Sequence, residues 1–307
     1  MMEIASRDNL KIAVSAVLIA CFSLSLGDSL IKQQSASFVI WQIFLVRSAI
    51  AIPFLIYFVR IRSCEVTIKP MHMGWTLLRS FILVSMWVFY FVALPHIELA
   101  VAAAAYYTLP LFIMLLAAIL LGETITTRGW IAVVLGFIGI LLILQPQADD
   151  FNAYALLPVV AAICYACAMI MTRSKCRHEQ PAVLSLWLNV SFVGVGAVAL
   201  LVLYLCDLDA ETRALNSFLL GEWTPMWLDE WRIMALLAIA FVVGSVGAAI
   251  AYQKGPSSII AVYDYSYVAF AVIWGVLIFA EIPAPLVTVG IVMIVAAGII
   301  SIRQRSS

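Results

Sequence analysis

Apolar positions run along this chain in long stretches, broken by charge about every twenty residues. Charge-free runs cover 80–97, 99–122, 129–148, 151–172, 180–206, 233–253 and 282–302, and segments 12–34, 37–59 and 257–280 are apolar with only one or two charges. A helix crossing a bilayer needs ~20 mostly apolar residues. The pattern therefore predicts ten helical spans, at approximately 12–33, 37–59, 74–94, 98–121, 129–145, 153–172, 182–206, 233–253, 258–279 and 284–302. Most linkers are short, so the spans make one bundle with no separate soluble domain.

Composition points the same way. Apolar residues make up 65% of the 307, charged residues only 11%, and the mean hydropathy is +1.10. Soluble domains carry about 25% charged residues, so this chain cannot cover itself in water. It reads as an all-α integral membrane protein. Its 17 basic and 17 acidic residues cancel, which removes the broad positive surface that nucleic-acid binding needs.

Basic residues set the orientation. With the N-terminus inside, twelve fall on the cytoplasmic side: Arg7, Lys11, Arg60, Arg62, Lys69, Arg128, Arg173, Lys175, Arg177, Lys254, Arg303 and Arg305. The opposite side has three, Lys32, Arg213 and Arg232. Both termini are thus expected in the cytoplasm, across a plasma (inner) membrane. The longest linker, 207–232, is then extracytoplasmic and acidic, and Trp223, Trp227 and Trp231 recur in it every four residues. That spacing predicts a short helix on the outer surface, anchored by tryptophans at the membrane–water boundary.

The first apolar run ends in Gly27-Asp28-Ser29 and Lys32 rather than in a small-residue cleavage motif, so it reads as a span and not as a signal peptide. Of six cysteines only Cys206 lies near the outer face, which leaves no extracellular disulfide framework. Cys164 and Cys167 form a C-x-x-C inside the sixth span; helix packing by small residues is the better reading than redox or metal chemistry.

Sliding the second half by 158 residues aligns the fourth span with the ninth without a gap. Ala93 meets Ala251, Ala103 meets Ala261, Tyr107 meets Tyr265, Phe112 meets Phe270 and Glu123 meets Glu281, while Thr108 faces Ser266. Five spans per copy is odd, so two such copies must be inverted across the membrane, with the usual substrate site between them near the midplane. The expected division is 1–148 for the first repeat and 149–307 for the second.

These segments resemble the drug/metabolite transporter superfamily, in the branch built from two EamA-type domains. The likeness is carried by Arg47 in "FLVRSAIAIPF", Arg79 in "LLRSFILV", "ALPHIELAVAAAAYYTLPLFIMLLAAILLGE" at 93–123 and "YDYSYVAFAVIWGVLIFAEIP" at 263–283. The resemblance implies a ten-helix inverted-repeat carrier with a central cavity lined mainly by spans 1, 3, 4, 6, 8 and 9. Within the superfamily the pattern looks nearest to carriers of S-adenosylmethionine and related organic metabolites.

Charge inside a bilayer costs ~2.5–3.5 kcal/mol at a helix centre, so each such group asks for a reason. Asp264 sits about two turns into the ninth span, flanked by Tyr263 and Tyr267; it is either a functional carboxylate or half of an ion pair with an intramembrane arginine. Asp28 and Lys32 stand at i, i+4 near the outer end of the first span, as a local salt bridge or with Asp28 as a cavity carboxylate. Arg47 lies mid-span and must be paired or face water; its place in the family pattern implies a structural role, with substrate contact as the alternative. Arg79, nearer the cytoplasm, could snorkel or hold a substrate carboxylate by paired hydrogen bonds. Glu123 and Glu281 close equivalent spans and read as gate or loop-fixing groups. Pro110 is expected to remove a helix hydrogen bond at Tyr106 and kink the fourth span. Tyr106, Tyr107, Trp87 and Tyr90 offer rings that can stack a planar group or hold an onium ion.

Several chemistries are missing. There is no G-x-x-x-x-G-K-[ST] phosphate loop and no H-E-x-x-H, and the three histidines fall in or near loops. The sequence therefore predicts no catalytic residues, metal site or cofactor. It predicts a secondary active transporter of a small zwitterionic or cationic metabolite working by alternating access, with an aromatic ring on the solute compatible with the site. The expected partners are that solute, the lipid bilayer and a coupling proton, with a homodimer as the assembly to test. A membrane-embedded enzyme or a non-transporting partner subunit is the competing reading.

Overall fold

The structure, a computed structural model, describes residues 9–34, 37–62, 68–93, 96, 105–144, 153–206, 208–280 and 285–302. Among these it is all-helical, with no strand. The helices are α1 (Leu10–Gln34), α2 (Ile40–Arg62), α3 (Met73–Ala93), α4 (Leu109–Leu121), α5 (Thr127–Leu144), α6 (Leu156–Ser174), α7 (Pro181–Leu205), α8 (Ala210–Leu215), α9 (Ser217–Leu220), α10 (Leu228–Lys254), α11 (Ser257–Asp264), α12 (Ser266–Phe279) and α13 (Pro285–Ile302). Every predicted span overlaps one of them, the ninth being divided into α11 and α12. Among the described residues, seven segments are long and apolar enough to cross a bilayer: α1, α2, α3, α6, α7, α10 and the α11–α12 pair. The apolar stretches in α4, α5 and α13 are shorter, at Leu109–Leu121, Thr127–Leu142 and Pro285–Ile300. The fourth span was expected from residue 98, and 97–104 lie outside the described residues.

Apolar side chains cover both the inside and the outside of the bundle. Phe54, Ile119, Leu277 and Val292 are exposed while Ile43, Phe44, Ile113, Phe192 and Ile260 are buried. A helix that is apolar all round belongs in lipid, and the protein is a multi-pass membrane protein. Polar groups turn inward instead: Gln42, Arg47, Thr76, Arg79, Asn189 and Asp264 are all buried, the arrangement a bilayer imposes on costly side chains.

The main packing partners are α1 with α10, α3 with α6, α2 with α7, and α5 with α13; α12 also packs on α1, α4 on α6, α3 on α7 and α2 on α10. Small residues permit the close crossings. A Cβ on Gly139 would lie 2.8 Å from the Gly290 carbonyl oxygen, and one on Gly196 would lie 2.9 Å from that of Trp41.

The long linker after α7 departs from expectation. Residues 221–227 are irregular and α10 already begins at Leu228, so Trp223, Trp227 and Trp231 do not share one short helix. The Glu230 carboxylate accepts the Trp227 N–H at 2.8 Å and so starts α10 early. The tryptophans are nonetheless exposed. The linker is pinned to α2 by a reciprocal pair: Gln42 Nε2 donates to the Thr224 carbonyl at 2.6 Å, and the Thr224 N–H donates to Gln42 Oε1 at 2.9 Å.

Candidate functional site

The ninth span breaks at Tyr265. The Val268 N–H returns to the Tyr265 carbonyl at 3.1 Å, a three-residue step that separates α11 from α12. Tyr265 is fully buried against α5, where a Cβ on Gly136 would lie 2.4 Å from its ring, and its hydroxyl donates to the Val133 carbonyl at 3.3 Å. Glycine at 136 is what lets the ring lodge there.

Two carboxylates flank this break, and each accepts a hydrogen bond from a phenol. Asp264, the last residue of α11, is buried and accepts from the Tyr252 hydroxyl of α10; Cys21 Sγ of α1 lies 4.0 Å from its Oδ1. Asp28 of α1 accepts from the Tyr267 hydroxyl at the start of α12. Among the described residues no cation pairs with Asp264, so the ion pair with an intramembrane arginine is not formed.

Aromatic rings join the two carboxylates. Ring centroids are 5.7 Å apart for Tyr107 and Tyr267, 5.6 Å for Tyr106 and Tyr107, 5.4 Å for Tyr90 and Tyr106, and 6.5 Å for Tyr106 and Tyr165. Trp87 stacks on Phe91 at 5.4 Å, with Tyr90 at its edge. Tyr106 interacts electrostatically with both Asp264 and Asp28. The cluster draws on α1, α3, α6, α10, α11 and α12 and on Tyr106 and Tyr107 just before α4. Flat rings, phenol donors and two acids can together bind a cationic or planar organic solute.

Other expected site residues fall elsewhere. Tyr263 leaves the cluster and donates to the Gly298 carbonyl of α13 at 2.8 Å. Pro110 does not kink a continuous helix. The chain turns at Tyr107–Thr108 and α4 starts at Leu109, which puts Pro110 in its first turn, where a missing N–H breaks no intrahelical bond. Arg79 does not snorkel: it is 1% exposed, and its Nε donates to Thr172 Oγ1 of α6 at 2.5 Å. Arg47 lies within 3.8, 4.7 and 5.1 Å of the ring centroids of Phe241, Phe192 and Phe44, and Asp28 interacts with it electrostatically. Glu123 accepts from the N–H groups of Ser257 and Ser258, both at 3.0 Å, and from the Ser258 hydroxyl at 2.7 Å, with Arg173 Nε 3.9 Å away. It therefore ties the end of α4 to the start of α11 and to α6. Glu281 and the side chain of Lys32 lie outside the described residues.

Tyr252, Tyr165 and Cys21 were not singled out by the sequence. Tyr252 lies two residues from the end of its helix, where a tyrosine ordinarily marks an interface, and Tyr165 lies inside the C-x-x-C segment read as packing. Only the crossing of α10 and α6 with the broken ninth span brings them to Asp264.

The chain matches the EamA-like transporter family over residues 11–145. It is 28% identical to the "Pseudopaline exporter CntI" of Pseudomonas aeruginosa, across 97% of this chain and 98% of that one. The chain resembles the EamA-type drug/metabolite transporters over residues 11–145. Further members it resembles are a "Riboflavin transporter" of Vibrio cholerae, 27% identical over 82% of this chain and 78% of that one, and an "S-adenosylmethionine uptake transporter" of Rickettsia prowazekii, 27% identical over 83% and 78%. A solved crystal structure superposes with a TM-score of 0.75 over 98% of this chain and 100% of that chain, at 18% identity, which shows a shared fold. The family and these relatives are named as transporters, not enzymes. These likenesses support transport of a small metabolite.

Proposed function

We propose that this chain is a secondary active carrier of a small zwitterionic or cationic organic metabolite, built as ten spans in two inverted repeats, 1–148 and 149–307, and working by alternating access between them. Both termini are cytoplasmic in this reading, and the membrane is the plasma (inner) membrane. The observation that carries the proposal is Asp264: a buried carboxylate with a phenol and, among the described residues, no cation for a partner, at a helix break beside a cluster of rings. A substrate cation or a coupling proton completes it.

Three observations support the repeat. The helix interruption at Tyr107–Thr108 and that at Tyr265 are 158 residues apart. So are Gly122 and Ala280, both left-handed residues closing a helix. The packing also interchanges when each span is replaced by its counterpart five along: α1 on α10 corresponds to α6 on α3, α1 on α12 to α6 on α4, and α3 on α7 to α10 on α2. Two halves of opposite orientation around a central site suit alternating access.

The test is counterflow in proteoliposomes with a panel of aromatic, zwitterionic and cationic metabolites. Exchange of at least one of these is expected. Chemical turnover of a solute without flux would overturn the carrier reading and favour a membrane-embedded enzyme.

A further inference from the structure

The two buried guanidinium groups differ in what surrounds them. Arg47 Nε and Nη2 are buried without a hydrogen-bond partner, but three phenylalanine rings enclose the group and meet its charge by cation–π attraction, with the Asp28 carboxylate as its acidic neighbour. Among the described residues Arg79 has no comparable enclosure. Its Nε donates to Thr172, but its Nη1 is buried without a hydrogen-bond partner. Among the described residues no carboxylate pairs with it; its electrostatic neighbours are Cys176 and Tyr165.

Asp264 is the opposite case, a buried acid that no cation pairs with among the described residues. Tyr165, on α6, is a near neighbour of both Asp264 and Arg79. Tyr165 and Thr172 are seven residues apart on α6, two turns along one face, or about 10 Å. Arg79, bonded to Thr172, and Asp264, at the end of α11, thus both border α6, and among the described residues neither has an oppositely charged partner. Leaving such groups unpaired in a membrane interior is costly. A ligand bearing both charges offsets both costs at once, whereas a simple cation offsets one.

On the carrier reading above, we propose that Arg79 is the subsite for the carboxylate of a zwitterionic substrate whose cationic centre lies at Asp264. Thr172 anchors one edge of the guanidinium and leaves Nη1 as the free donor. Arg79 then sets specificity: it separates carboxylate-bearing solutes from their decarboxylated analogues, which Asp264 alone cannot do.

The test is equilibrium binding to the full-length protein in nanodiscs. The probes are two pairs carrying a cationic centre and a planar ring: S-adenosylmethionine with its decarboxylated analogue, and tryptophan with tryptamine. The wild-type protein should prefer the carboxylated member of at least one pair by about tenfold or more, the strength of a charge-assisted contact. Arg79→Gln should bring that ratio close to one while binding of the decarboxylated member is kept, and Asp264→Asn should weaken both members. If Arg79→Gln does not fold, Thr172→Val, which releases the anchored edge, should lower the ratio in its place. A ratio unchanged by whichever of these variants folds overturns the assignment of Arg79; the carrier reading then stands if Asp264→Asn still weakens binding. If the wild-type protein binds neither pair, the subsite and the zwitterion reading fall together.

Discussion

Gly122 and Ala280, 158 residues apart, close α4 and α12 in the same left-handed backbone conformation, with φ of 66° and 55°. They are the only residues with positive φ among those described. Glycine takes this conformation freely and alanine does not, so α12 closes in this shape at a cost that α4 avoids. Ala280→Gly should therefore raise stability by about 0.5–1 kcal/mol, and Gly122→Ala should lower it by about 1 kcal/mol. Thermal unfolding in detergent measures both. Equal melting temperatures for Ala280→Gly and the wild-type protein would mean that Ala280 carries no strain.

Orientation has a direct check. A cysteine placed at Thr212, in the long linker between α7 and α10, should react with a membrane-impermeant maleimide added outside intact cells, and one placed at Ser306 should react only after lysis. The reverse pattern would overturn the cytoplasmic placement of both termini.

Glu123 caps the first turn of α11 with two backbone N–H groups, a favourable place for negative charge. Glu123→Gln retains an acceptor and should lose about 1 kcal/mol or less; Glu123→Ala removes the cap and should lose about 1–2 kcal/mol. A thermal melt that ranks the two variants together would show that the cap contributes little.

Much of the helical frame was legible because a bilayer enforces length and apolarity, and both can be counted along a chain. The site was legible where chemistry was out of place. Asp264, Tyr106 and Tyr107 stood out as polar groups in apolar runs, and the structure gathers them with Asp28, Tyr90 and Tyr267. Tyr252 was hidden because its position near a helix end is ordinary in sequence; its role comes from a crossing angle. Pro110 misled for a local reason, since proline reads alike in a kink and in a first turn. The Tyr265 break, which has valine at the position equivalent to Pro110, shows that proline is not required for the interruption.

Tyr252→Phe keeps the ring and removes the phenol that Asp264 accepts from. Unfolding should become easier by about 1–2 kcal/mol, and solute affinity should change far more than the yield of folded protein. Size-exclusion profiles together with binding isotherms separate the two effects. Unchanged affinity would place Tyr252 outside the site.

The central claim, that Asp264 holds the positive part of the solute or the coupling proton, is tested most directly by Asp264→Asn in proteoliposomes. The substitution keeps the size and removes the charge, so insertion and folding should survive while gradient-driven accumulation is lost. Counterflow retained at the wild-type rate would assign Asp264 to the proton; loss of binding as well would assign it to the solute. Accumulation by Asp264→Asn at the wild-type rate would contradict both roles.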